Sequence, residues 1–256
     1  MHSPFHSVCM CSWSCCFVYL SNQVTRRAGI DTATVELTTL GPPPWIDLSN
    51  IHFELEVEDR QLNMVVPAAW VTAATWTLTA LPLADIHLWK DGSVSADSDG
   101  RAGFAIFVQG TLLVTDTSPA GHGVSELRAE AVACFAGLQA VLTLHDYNAC
   151  QGVRVLTDSK SLIQCLAQGP ARQTDTTCSS MWTVLATIGS SNLVNVQWIP
   201  GHVGLEGNTE ADLEAKRGTT LTQSSAPMDF TSACAAIGDP TGNEREGITR
   251  TNIMLL

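Results

Sequence analysis

Basic residues are scarce in this sequence: thirteen Lys and Arg stand against twenty-five Asp and Glu, for a formal charge of −12. A protein that grips phosphates through its own surface carries clustered Lys and Arg, and no such cluster occurs here. Even the most regularly patterned stretch, residues 83–218, has eight Lys or Arg against fourteen Asp or Glu and sits near −6. Any nucleic-acid chemistry in this chain must therefore lean on bound metal ions or on another domain. A disulfide framework is missing too. The nine cysteines divide into Cys9, Cys11, Cys15 and Cys16 and five scattered ones. An odd count without regular spacing fits reduced thiols in an intracellular protein of the cytoplasm or nucleus. The N-terminal cluster, with His2 and His6 nearby, lacks the paired spacing of a zinc module. Long apolar runs are also absent. Nothing approaches the ~20 apolar residues that cross a bilayer, so no membrane partner is expected. Residues 9–20 are apolar like a secretory core, but no Lys or Arg precedes them and no convincing cleavage site follows.

The chain does have one patterned core between loose ends. Residues 1–82 read as an extension and linker, partly disordered, broken at Gly41-Pro42-Pro43-Pro44, with Ile51 to Val57 alternating like a short strand. Residues 219–256, rich in Thr, Ser and Gly, read as a flexible tail. Between them, Ile86 to Asp91, Ala102 to Val108 and Leu112 to Val114 predict a three-strand antiparallel meander turning at Gly100 and Gly110. Leu127, Ala131, Cys134, Leu138 and Val141 then recur at helical steps and form one stripe. Val153 to Leu156 is an apolar strand, followed by a helix opened by Asp158 or Ser159 and stopped at Gly169-Pro170. A helix near Met181 to Ile188, a strand from Leu193 to Ile199 and a helix from Asn208 to Arg217 complete residues 83–218. This order predicts an α/β fold: a five-stranded mixed sheet, its first three strands antiparallel and its later ones parallel to the first, flanked by helices. No internal repeat occurs.

Four acidic residues fall where that order brings elements together. Asp91 ends the first strand, Glu130 lies on the first helix, Asp158 ends the fourth strand, and Asp212 lies in the opening turns of the last helix. Ligand sites of α/β sheets form at the carboxyl ends of strands, which makes Asp91 and Asp158 neighbours if their strands are adjacent and parallel. On the first helix, Glu130 lies roughly 80° from the centre of the apolar stripe and Glu126 roughly 120°, so Glu130 borders the buried face. Taken singly, Asp158 would pass as a helix cap and Asp212 as a complement to the helix dipole. Clustered, the carboxylates repel and need a cation. Oxygen ligands without Cys or converging His select Mg²⁺ or Mn²⁺ over zinc, and a pair of such ions suits phosphodiester hydrolysis.

The words around these residues are Lys90-Asp91-Gly92-Ser93, Arg128-Ala129-Glu130, Thr157-Asp158-Ser159-Lys160-Ser161, Trp198-Ile199-Pro200-Gly201-His202-Val203-Gly204, Gly207-Asn208 and Ala211-Asp212 with Ala215-Lys216. In order and spacing they resemble the type-1 ribonuclease H family over about half of the chain. The resemblance implies the ribonuclease H-like fold and a Mg²⁺-dependent endonuclease (or Mn²⁺-dependent, with two ions) acting on the RNA strand of an RNA–DNA hybrid. It implies Asp91, Glu130, Asp158 and Asp212 as metal ligands, and His202 as the loop histidine that manages a proton or product release. Gly92 and Ser93 would contact the substrate.

Three departures stand out. Lys90 replaces the family's usual Thr, and strand alternation sends its side chain away from Asp91. Thr209 takes a place commonly held by Glu. The basic helical extension of some members is missing between Gln168 and Thr174, which points to a partner domain. The stretch from Pro43-Pro44-Trp45 through Leu81-Pro82 into Asp91 resembles the connector before the ribonuclease H domain of non-LTR retrotransposon polyproteins, notably trypanosomatid ones. That resemblance implies a reverse transcriptase domain in the parent element. Two other readings stand beside an active ribonuclease H: a relic of the fold that binds nucleic acid without turnover, and an integrase or exonuclease on the same fold.

Overall fold

Alternation of apolar side chains fixes which strand face is buried, and in this chain both faces are. The computed structural model describes residues 42–43, 45–57, 67–80, 84–96, 99–145, 147–218 and 221–223. The expectations placed on residues 1–41 and beyond 223, including the cysteine cluster, the apolar run 9–20 and most of the tail, lie outside them. In chain order the elements are β1 Ile51–Glu54, α1 Pro67–Ala80, β2 Ile86–Val94, β3 Asp99–Val108, β4 Thr111–His122, α2 Glu126–Thr143, β5 Gly152–Thr157, α3 Lys160–Leu166, α4 Thr176–Gly189, β6 Leu193–Trp198 and α5 Glu206–Arg217.

The strands form one sheet in the order β1-β6-β5-β2-β3-β4. β2, β3 and β4 pair antiparallel, while β5 runs parallel to β2, and β6 parallel to β5. This is the predicted mixed sheet with one strand more. The alternating segment at Ile51 becomes β1, which pairs in parallel with β6 through Ile51↔Val194 and Phe53↔Val196. Six strands replace the expected five because a short segment assigned to the linker finds a partner about 140 positions away along the chain.

One face of the sheet carries Ile86, Leu88, Phe104, Ile106, Val153, Val155, Val194 and Val196, which join Ala131, Cys134, Leu138 and Val141 of α2 in a buried cluster with residues of α3 and α4. These four α2 residues belong to the stripe read from the sequence. Arg128 ties α2 to α4: its Nη1 donates to Asp175 Oδ2 at 2.7 Å, while Asp175 Oδ1 caps α4 by accepting from the Cys178 amide at 2.8 Å. The other face carries Trp89, Ala105, Phe107, Leu156 and Ile199, covered by Ala211 of α5 and Leu78 of α1. Residues 67–80, expected to be linker, thus form a helix that closes this face. Arg154 of β5 fastens it, donating to the Leu78 carbonyl at 3.1 Å. The basic extension missing from the sequence is represented only by a short turn of helix, Pro170–Arg172.

Candidate metal centre

The site begins with strand length. β2 pairs with β5 from Ile86↔Val153 to Trp89↔Leu156, but it continues to Val94, held from there by β3 alone. Asp91 therefore lies within β2 and not at its end, beyond the stretch paired with β5. Carrying the register on by two residues sets Asp91 level with Asp158, the first residue after β5. Two carboxylates meet there because one strand stops and its parallel neighbour does not.

Asp158 is free of the capping duty that its position suggested. Ser159 caps α3, its hydroxyl accepting from the Leu162 amide at 3.3 Å, and its own amide donates to Thr157 Oγ1 at 3.0 Å. The turn is pinned a third time by Trp198, whose Nε1 donates to the Asp158 carbonyl at 3.0 Å. Lys160 lies over the Trp198 ring, 3.9 Å from its centroid, a cation–π contact that steadies the same turn. Gly201 completes the seat: a Cβ there would come within 2.3 Å of Asp158 Oδ2. The absence of a side chain at residue 201 is what lets the carboxylate lie against the loop.

Glu130 arrives from α2. It is buried, whereas Glu126 one turn earlier is exposed, in line with their angles from the apolar stripe. Gly92 allows the approach, since a Cβ there would stand 2.4 Å from the Ala129 carbonyl carbon and from the Glu130 amide nitrogen. Backbone thus meets backbone at the point where Glu130 leaves its helix. Asp91, Glu130 and Asp158 together offer carboxylate oxygens that all lie within 4.8 Å of one another. Burial, and then the charge of Asp158, hold the Asp91 carboxyl above the usual carboxylate range, with Asp212 adding to the rise and Lys90 and His202 opposing it. Such a group favours either a proton or a cation beside it. Three oxygen donors without sulfur or imidazole fit Mg²⁺ or Mn²⁺.

The other sequence candidates are placed differently. Asp212 is near enough for Asp91 to feel its charge, yet its carboxylate falls outside the group of three and accepts from Lys216 Nζ at 2.5 Å. α5 begins at Glu206, two residues before the expected start, so Asp212 sits in its second turn. His202 is exposed on the loop after β6 with a left-handed backbone, φ 55°, and its charge also reaches Asp91. Ser93 lies on β2 opposite Arg101 of β3.

Sequence reading missed three contributors: Trp198 and Gly201, which seat Asp158, and the position of Lys90. Alternation does send Lys90 to the face opposite Asp91, but that face lies under α2. Its side chain is 0% exposed and its Nζ forms an ion pair with Glu130 Oε2. Burial pushes the ammonium down to about 8, against the pull of Cys134, Asp158 and Asp91. A buried ammonium persists only beside a counter-charge, and Glu130 provides one.

Among solved structures the chain is similar to ribonuclease H1 of the halophilic archaeon Halobacterium salinarum, at 16% identity and a TM-score of 0.40 over 52% of this chain and 96% of that one. It is similar to the N-terminal ribonuclease H domain of a Mycobacterium tuberculosis protein, at 20% identity and 0.40 over 52% and 97%. A ribonuclease H1 isolated from compost gives 21% identity and 0.42 over 53% and 96%. No curated protein sequence matches. The ribonuclease H family model matches residues 84–220, more than half of the sequence, and the chain belongs to that family.

Proposed function

We propose that this chain is an endonuclease that hydrolyses the RNA strand of RNA–DNA hybrids, using a divalent cation held by Asp91, Glu130 and Asp158. The observation that carries the reading is the meeting of these three carboxylates at the point where β2 outruns β5. A cation bound there supplies charge neutralisation and polarisation of the attacked phosphate, which also offsets the acidic surface around it. Trp198, Gly201 and Ser159 keep Asp158 in place, and Gly92 sets the depth of Glu130. His202, exposed beside this cluster, exchanges a proton with the reacting groups. Asp212 serves as a further acidic group once it leaves Lys216, since a solvent-facing ion pair is worth only ~0–1 kcal/mol. Ser93 and the backbone at Gly92 contact the hybrid.

The resemblance of the Pro43-Pro44-Trp45 connector supports descent from a non-LTR retrotransposon polyprotein whose reverse transcriptase domain supplied the basic grip that this chain lacks. Hybrid affinity that is no better with such a domain attached would count against that. We take the catalytic unit to include β1 and α1, upstream of residue 83, because they complete the sheet and its second face. Unbridged thiols at Cys134, Cys165 and Cys178 support an intracellular site, in cytoplasm or nucleus. No helix among the described residues is long and apolar enough to cross a membrane.

Purified protein with Mg²⁺ or Mn²⁺ should fragment labelled RNA paired to DNA, and should spare the same RNA alone and duplex DNA. A hybrid left intact at every concentration of either ion would refute the reading. The Lys90–Glu130 pair favours one rival, a relic that binds the hybrid without turnover. Hybrid retained in a shift assay but never cut would support it.

A further inference from the structure

We infer that Lys90 is a built-in cation of the metal centre, so that the free protein takes one divalent ion tightly where an oxygen cluster of this kind would otherwise hold two. The inference rests on the reading of Asp91, Glu130 and Asp158 as metal ligands and concerns how much charge that site accepts.

Three observations carry it. First, the Lys90 side chain is wholly removed from solvent, so water does not screen its charge from the carboxylates. Second, its Nζ engages Oε2 of Glu130, leaving that residue one oxygen for any other cation. Third, the charges sum to a small number. Three carboxylates and one ammonium leave −2, which one divalent ion balances and two overshoot. Asp212, whose charge is felt at Asp91, adds no net charge while its carboxylate is paired with Lys216. The chain has therefore placed part of the site's positive charge in the protein, beneath α2, on the side a solvent ion cannot reach. Lys90 touches no substrate in this scheme; it is a positioning residue acting through Glu130.

The test counts ions on the full chain without nucleic acid. Mn²⁺ is titrated calorimetrically at low ionic strength, and bound Mn²⁺ is counted by electron paramagnetic resonance. Wild type should bind one Mn²⁺. Lys90→Met keeps the length and apolar stem of the side chain and removes its charge; Lys90→Thr removes both. Each should gain a second Mn²⁺ or bind the first at least about tenfold more tightly, as expected for loss of a unit charge beside a buried ligand. Because the readout is the ion count, a role for Lys90 in packing alone would not move it. Two Mn²⁺ of similar affinity in the wild type would overturn the inference, even if neither variant folds. The same count and affinity in wild type and both variants would overturn it as well while leaving the metal centre standing. A wild type that binds no Mn²⁺ at all would remove both.

Discussion

Asp91→Asn should cut hybrid cleavage on the order of a thousandfold while leaving the metal-free protein at least as stable as wild type. The two halves have one cause. Burial and the neighbouring Asp158 raise the Asp91 carboxyl above its unfolded value, so the folded state takes up a proton more readily than the unfolded chain does. Stability from that source is fully present below the unfolded carboxyl value and is lost as pH rises through the folded one. Without metal, ionising Asp91 therefore works against folding, and asparagine lifts that burden. Urea denaturation in the presence of a chelator, at acid and at neutral pH, should show wild type losing stability over this rise and Asp91→Asn losing less. Added Mg²⁺ should then stabilise the wild type and hardly affect the variant. A variant that cleaves like wild type, or whose unfolding responds equally to Mg²⁺, would show that Asp91 holds no ion.

Gly92→Ala should damage both fold and site. Replacing a glycine inside a strand ordinarily gains stability by roughly 0.5–1 kcal/mol. Here the new methyl would press on the backbone of α2 at Ala129 and Glu130, 2.4 Å away, and backbone cannot step aside as a side chain can. Overpacking of this kind costs about 1–3 kcal/mol, and relief comes only by lifting α2 from β2. That movement carries Glu130 with it, and a displacement approaching ~1 Å at a reacting centre can cost on the order of a hundredfold in rate. Denaturation midpoints and hybrid cleavage should thus fall together. Full activity in a protein with an unchanged midpoint would mean that α2 does not depend on this close approach.

Local periodicity made much of this legible in the sequence. The apolar stripe of α2 gave its buried face and, by angle, singled out Glu130 over Glu126, because helical geometry is set within the segment itself. Asp91 and Asp158 were legible as neighbours for a related reason: parallel strands with one crossover leave few ways to pair. What stayed hidden depended on distant partners. Four residues around Ile51 are too short to declare a strand until β6 is there to receive them. α1 is rich in Thr, Ala and Trp and lacks a clean apolar stripe, so its helical state rests on Leu78 meeting the Trp89 cluster and on Arg154 capturing its last turn. The case of Lys90 is similar. A period of two assigns the face of a strand but not what covers that face, and only the path of α2 turns an outward lysine into a buried partner of Glu130. Asp212 shows the converse, since its motif matches the family while the side chain is diverted by a lysine four residues on.

Asp91, Glu130 and Asp158 should converge on a divalent cation. Diffraction from crystals soaked in Mn²⁺, recorded for anomalous scattering, tests it most directly. A peak within bonding distance of carboxylate oxygens from these three residues is the predicted result. Electron density without such a peak at saturating Mn²⁺, or with the ion bound elsewhere and the three carboxylates left bare, would contradict it.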